Sequence, residues 1–207
     1  MNTYQKEQLE SINLIRDYLT ECSGIERNKL FSMIKDYLCF RNDTSAFLCT
    51  YFGDICTKNC YENQLSACCS KDGILTFFAD HLINALVSEI SDIDAIVAAV
   101  QNSANNFKCI YLGKNGCVWK IKPIVCEMFI CTNAKNEVFK KNPGCKNIWA
   151  DLETRKKLYT WPDRPVLFDA LEQHFINAGF KSSLMYMHNS PGLLRIKQKS
   201  IKKGLKK

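Results

Sequence analysis

Twelve cysteines in 207 residues constrain this chain more than any other feature. Eight of them fall into two groups. The first is Cys56, Cys60, Cys68 and Cys69; the second is Cys109, Cys117, Cys126 and Cys131. A surplus thiol is an oxidation liability, so such a number implies a use: disulfides, catalysis or metal ligation. The N-terminus has no basic stretch followed by an apolar run, so no secretory signal is expected. The most apolar region, residues 74–100, is broken by Asp80, His81, Glu89, Asp92 and Asp94. A bilayer crossing needs roughly 20 nearly uncharged residues, so no membrane span is expected either. A cytoplasmic location follows as the expectation. In a reducing compartment structural disulfides do not persist, which turns the cysteines toward metal or catalysis.

Thiolate sulfur is a soft donor that binds zinc and iron tightly once the cation displaces its proton. Zinc knuckles are built on C-x2-C pairs, and no such pair occurs here. The actual spacings are Cys56-x3-Cys60-x7-Cys68-Cys69 and Cys109-x7-Cys117-x8-Cys126-x4-Cys131. An iron–sulfur cluster tolerates such irregularity because it offers several irons to its ligands. The spacing therefore favours an iron–sulfur cluster, of the 4Fe–4S kind, over Zn2+. The competing explanation is that cysteines are simply small packing residues. It suits Cys22 and Cys39, which lie in or beside helical apolar stripes, and suits Cys49 and Cys145 about as well as ligation does.

Apolar residues recur at helical spacing at Leu9, Ile12, Ile15 and Leu19, and again at Leu30, Ile34, Tyr37 and Leu38. Ser23-Gly24 between them suggests an antiparallel helical hairpin. Residues 41–72 lose the period and read as a cysteine-rich irregular segment. Further stripes follow at Leu75, Phe78, Leu82, Ala85 and Leu86, and at Ile93, Ile96, Val97 and Val100, the latter opened by a capping box at Ser91 to Asp94. A second irregular stretch covers residues 109–131. Helices are then predicted around Ile148, Leu152 and Tyr159, and from Pro165 to Gly179. The strand candidates are short, Cys117–Ile121 and Leu184–Met187. The expected fold is mainly α: a single helical domain, residues 1–188, whose two irregular cysteine-rich loops converge on a metal site. Its motif core spans residues 56–131, and a basic C-terminal tail occupies residues 189–207.

The segment CIYLGKNGCVWKIKPIVCEMFIC resembles the second half of the YkgJ-type cysteine-cluster family, a group described as zinc- or iron-chelating. Cys109, Leu112, Gly116, Cys117, Trp119, Pro123, Cys126, Phe129 and Cys131 fall on that pattern, and Cys68-Cys69 followed by Asp72-Gly73 resembles its first half. The resemblance implies a bound metal ion or cluster held by the eight clustered cysteines. Two departures stand out. Lys122 and Glu127 replace arginines common in the family, and the Cys60–Cys68 gap is longer than usual. The wider group includes flagellin lysine N-methylases, so the resemblance also implies an enzymatic alternative; a zinc-stabilised interaction module is another.

No G-x-G-x-x-G or P-loop pattern occurs, and with nine glycines a nucleotide-cradling loop is not expected. Of the three histidines, His174 reads as a packing residue, His188 as uninformative, and His81 as the best non-cysteine ligand. Seven of the 28 basic residues lie beyond Asn189 with no acid among them, leaving a neutral body of 21 basic and 21 acidic residues. Such a tail can bind nucleic acid through its charge or merely be solvated. The lack of aromatics for base stacking favours the second.

Overall fold

The computed structural model describes residues 1–58, 62, 75–102, 109–113, 116–161 and 165–204. Among these the chain is mainly helical, as the apolar periodicities require. Helix α1 (Thr3–Glu21) opens with a reciprocal cap. The Asn2 side chain accepts from the Gln5 N–H at 2.9 Å, while Gln5 Oε1 accepts from the Asn2 N–H at 2.8 Å. Its buried stripe is Leu9, Ile12, Ile15 and Leu19.

Helix α2 (Gly24–Cys56) runs for 33 residues, well past Arg41, where the sequence period was expected to fail. The reason is that Phe40, Thr44, Phe47 and Phe52 continue the buried face of Leu30, Ile34 and Tyr37. Aromatic contacts fill this stretch: Phe47 stacks on Trp149 at 5.8 Å between ring centres, and Phe40 on Tyr159 at 5.3 Å. Cys56 is therefore the last residue of a helix, not part of a loop. Nor do α1 and α2 form the expected antiparallel pair. The two-residue joint at Cys22 and Ser23 is extended, and α1 packs instead on α3 (Phe78–Val87) and α4 (Ile90–Gln101).

The cap of α4 is Glu89, two residues before the expected one, and it donates its N–H to Asp92 Oδ2 at 3.1 Å. A minimal hairpin follows, β1 (Leu112–Gly113) against β2 (Gly116–Cys117), with Leu112 opposite Cys117. Gly116 has φ +105°, which a side chain would strain. The strand expected over residues 117–121 is thus confined to its first residue. Helix α5 (Ile124–Glu127) is one turn, and α6 (Thr132–Lys141) was not expected. Helices α7 (Cys145–Thr160) and α8 (Leu167–Asn177) form where they were predicted, but α7 buries Cys145, Trp149 and Leu152 and leaves Ile148 exposed, so its stripe is turned from the expected one. Gly179, at φ +88°, closes α8 as expected. The Leu184–Met187 strand candidate instead leads into a helical turn, α9 (Tyr186–Asn189). No helix among the described residues is long and apolar enough to cross a membrane.

The basic segment is not wholly solvated. Residues Pro191–Gly204 form helix α10, which packs on α9, and α9 packs on α8. Lys197 is buried there, paired with Asp169 and donating to the Met187 carbonyl at 3.3 Å. His188 bridges two carboxylates, with Nδ1 2.9 Å from Glu172 and Nε2 3.3 Å from Asp169. Burial pushes the Glu172 carboxyl up to about 8, with the charge of Asp169 adding to the rise and the Met187 N–H and Lys197 opposing it. The folded state therefore holds this proton more tightly than the unfolded chain. The resulting stabilisation is complete below pH 4.5 and is lost as pH rises through 8. Urea midpoints measured across that range should fall toward alkaline pH, and Glu172→Gln should flatten the decline. An unchanged slope in the variant would assign the pH dependence to another group.

Candidate metal centre

The C-terminal half of α2, the hairpin and α5 line a half-open cavity of about 450 Å³. On α2, Ser45, Cys49, Phe52, Gly53 and Cys56 line it at offsets of 4, 7, 8 and 11 residues from Ser45, one face of a helix. The opposite wall carries Cys109 ahead of the hairpin, Cys117 in β2 and Cys126 in α5. Of the eight candidate ligands, then, Cys56, Cys109, Cys117 and Cys126 share one cavity. Cys131 lies off it, as the N-cap of α6. Cys60, Cys68 and Cys69 lie outside the described residues. Among the described residues no three cysteine, histidine or acidic side chains are drawn into a closed ligand set.

Cys49 also lines the cavity, although its spacing gave no reason to group it with the others. The signal was present only in combination: Cys49 and Cys56 are seven residues apart, which is one face of a helix if α2 is continuous. Cys39 is exposed and Cys22 half-buried, so Cys39 is not the small packing residue expected.

The walls are held by buried polar contacts rather than by loops alone. Arg41, 2% exposed, donates from Nη2 to Glu127 Oε2 at 2.6 Å and to the Lys122 carbonyl at 2.7 Å, and from Nη1 to the Tyr37 hydroxyl at 2.8 Å. Glu127 is thus the partner of a cation supplied by α2. From α3, Asp80 Oδ1 accepts the Ile124 N–H at 3.0 Å, and Asn84 Oδ1 accepts the Ile121 N–H at 2.9 Å. Burial raises Asp80 to about 6, opposed by the N–H groups of Phe77 and Ile124.

Behind the hairpin, Gln8 Oε1 accepts from the Thr76 and Tyr111 hydroxyls, both at 2.8 Å, and faces His81 Nε2 at 2.9 Å. Burial lowers His81 to about 3, and it packs on Trp119 at 5.1 Å. This histidine is a neutral core residue away from the cavity wall, not a ligand within it. The remaining histidines are structural as well. His174 meets the Tyr18 hydroxyl at 2.9 Å, and His188 sits in the carboxylate cluster of α8.

The Tyr111 N–H points at Cys109 Sγ, 3.4 Å away. Tyr111 itself is held well above its usual phenol range, first by burial and then by neighbouring Tyr4, with Cys109 and Cys117 adding to the effect. The Tyr4 phenol is raised likewise by burial, with Cys109 and Cys126 contributing. The thiols of the opposite wall are therefore within electrostatic reach of the same two buried phenols. Comparison of the chain with known protein families, curated proteins and solved structures finds no match.

Proposed function

We propose that this chain is a metal-binding protein whose centre is held by cavity-facing thiolates, an iron–sulfur cluster before zinc, serving a redox or sensing role. The observation that carries the reading is the arrival of Cys56, Cys109, Cys117 and Cys126 at one cavity from three separate segments. The donor set suits a soft cation. Its sulfurs have a backbone N–H aimed at one of them, and the acid on the wall, Glu127, is engaged by Arg41. The preference for a cluster rests on the irregular cysteine spacings, which several irons tolerate better than one zinc ion. Cys60, Cys68 and Cys69 remain ligand candidates by sequence, as does Cys131. The resemblance to the YkgJ-type family rests on the motif residues alone.

Differential alkylation tests this directly, because a metal-bound thiolate reacts slowly and a free thiol according to its exposure. In protein purified without oxygen, Cys56, Cys109, Cys117 and Cys126 should be protected while exposed Cys39 reacts. Stripping the metal should expose the four together. Protection of Cys131 in the same step would add it to the set. Four cavity thiols that react before stripping as fast as after it would end the proposal.

A further inference from the structure

We infer that the outer face of α10 is a docking surface for the phosphate backbone of nucleic acid. The inference is independent of the cysteine centre. Lys197 fixes the rotation of the helix by its buried pairing with Asp169, and half-buried Leu193 and Leu194 face the same way. At about 100° per residue, Arg195, Lys199 and Lys202 then lie about 140–160° from Lys197, on the side facing solvent. All three are exposed and form no ion pair among the described residues. Other surface cations have an acid beside them, as Lys141 has Glu137 at 2.8 Å and Arg155 has Asp43 at 2.7 Å. The helix carries no acid, so the surplus charge of the chain is displayed here as a stripe rather than dispersed in a coil.

The stripe spans about 10 Å along the axis at about 1.5 Å per residue. One strand of a duplex places a phosphate about every 3.4 Å, so about three fall within that length. An anionic membrane fits less well. Insertion needs apolar residues on the outward face. The exposed ones on α10, Ile196 and Ile201, lie five residues and so about 140° apart, flanking the body contact. With no aromatic on the helix the contact is made to backbone, not bases, and is insensitive to sequence.

The test is fluorescence anisotropy of the full chain with labelled duplexes of arbitrary sequence, one DNA and one RNA. Three phosphate contacts give a salt slope near −2.7, so affinity should fall about 40-fold between 50 and 200 mM salt. The triple variant Arg195→Gln, Lys199→Gln, Lys202→Gln should lose at least about tenfold in affinity and most of the salt slope, with an unchanged melting temperature. Preference for DNA or RNA identifies the source of the phosphates. Absence of binding at 50 mM salt, equal binding by the triple variant, or binding to phosphatidylserine-containing vesicles in place of both duplexes would each overturn the inference.

Discussion

Arg41→Met should lower the melting temperature by on the order of 10 °C, one of the largest effects expected of a single change outside the cysteines. The guanidinium is 2% exposed and its partner Glu127 is 10% exposed, so removing the cation strands a buried carboxylate. Breaking such a pair costs about 3–5 kcal/mol, more than the pair itself contributes, because the remaining charge has no solvent to turn to. The Lys122 carbonyl and the Tyr37 hydroxyl lose a donor at the same time. The double variant Arg41→Met, Glu127→Gln should recover most of the loss, since no uncompensated charge is left. Thermal unfolding of the two single variants and the double gives the coupling. Additive losses would show that the two side chains act independently. Because Glu127 follows Cys126 directly, Arg41→Met should also weaken metal retention, whereas a change at exposed Cys39 should not.

Cys126→Ser should release the metal and destabilise the fold together. The free energy of a structural metal is largely folding free energy, about 10–16 kcal/mol for zinc in small peptides, and losing one of its thiolates removes a substantial share. Cys126 is the cavity thiol most firmly positioned by its neighbours. Asp80 holds the Ile124 N–H two residues before it, and Arg41 holds Glu127 one residue after. Cys39→Ser, on an exposed part of α2, supplies the matched control. Equal metal content in the two variants would remove Cys126 from the ligand set.

The apolar stripes of α1, α3, α4 and α8 were legible because each alternates with polar residues, whereas α7 was legible as a helix but not in its buried face, where Trp149 and not Ile148 turns inward. The second half of α2 was not. Cys49 and Cys56 draw attention as candidate ligands, which hides that Phe47 and Phe52 keep the helical phase. Helix α6 buries only Ala134 and Val138, too thin a stripe to read from sequence. For the site, Cys109, Cys117 and Cys126 were legible from their motif. The groups that brace them were not, because their partners are remote: Arg41 and Glu127 are 86 residues apart, and Gln8 and Tyr111 are 103 apart. The burial of Lys197 was likewise invisible, since Asp169 lies 28 residues upstream and a lysine in a basic run gives no sign that it faces inward. Polar contacts of this kind depend on tertiary position, which periodicity does not encode.

The central claim is that thiolates on this cavity hold a metal centre, and metal analysis of protein purified without oxygen tests it most directly. Iron with acid-labile sulfide, and a brown colour that bleaches on reduction, is the result expected for a cluster. Stoichiometric zinc without colour would keep the thiolate centre and replace the cluster. Protein that contains neither metal, and takes up neither when supplied with iron and sulfide or with zinc, would contradict the account.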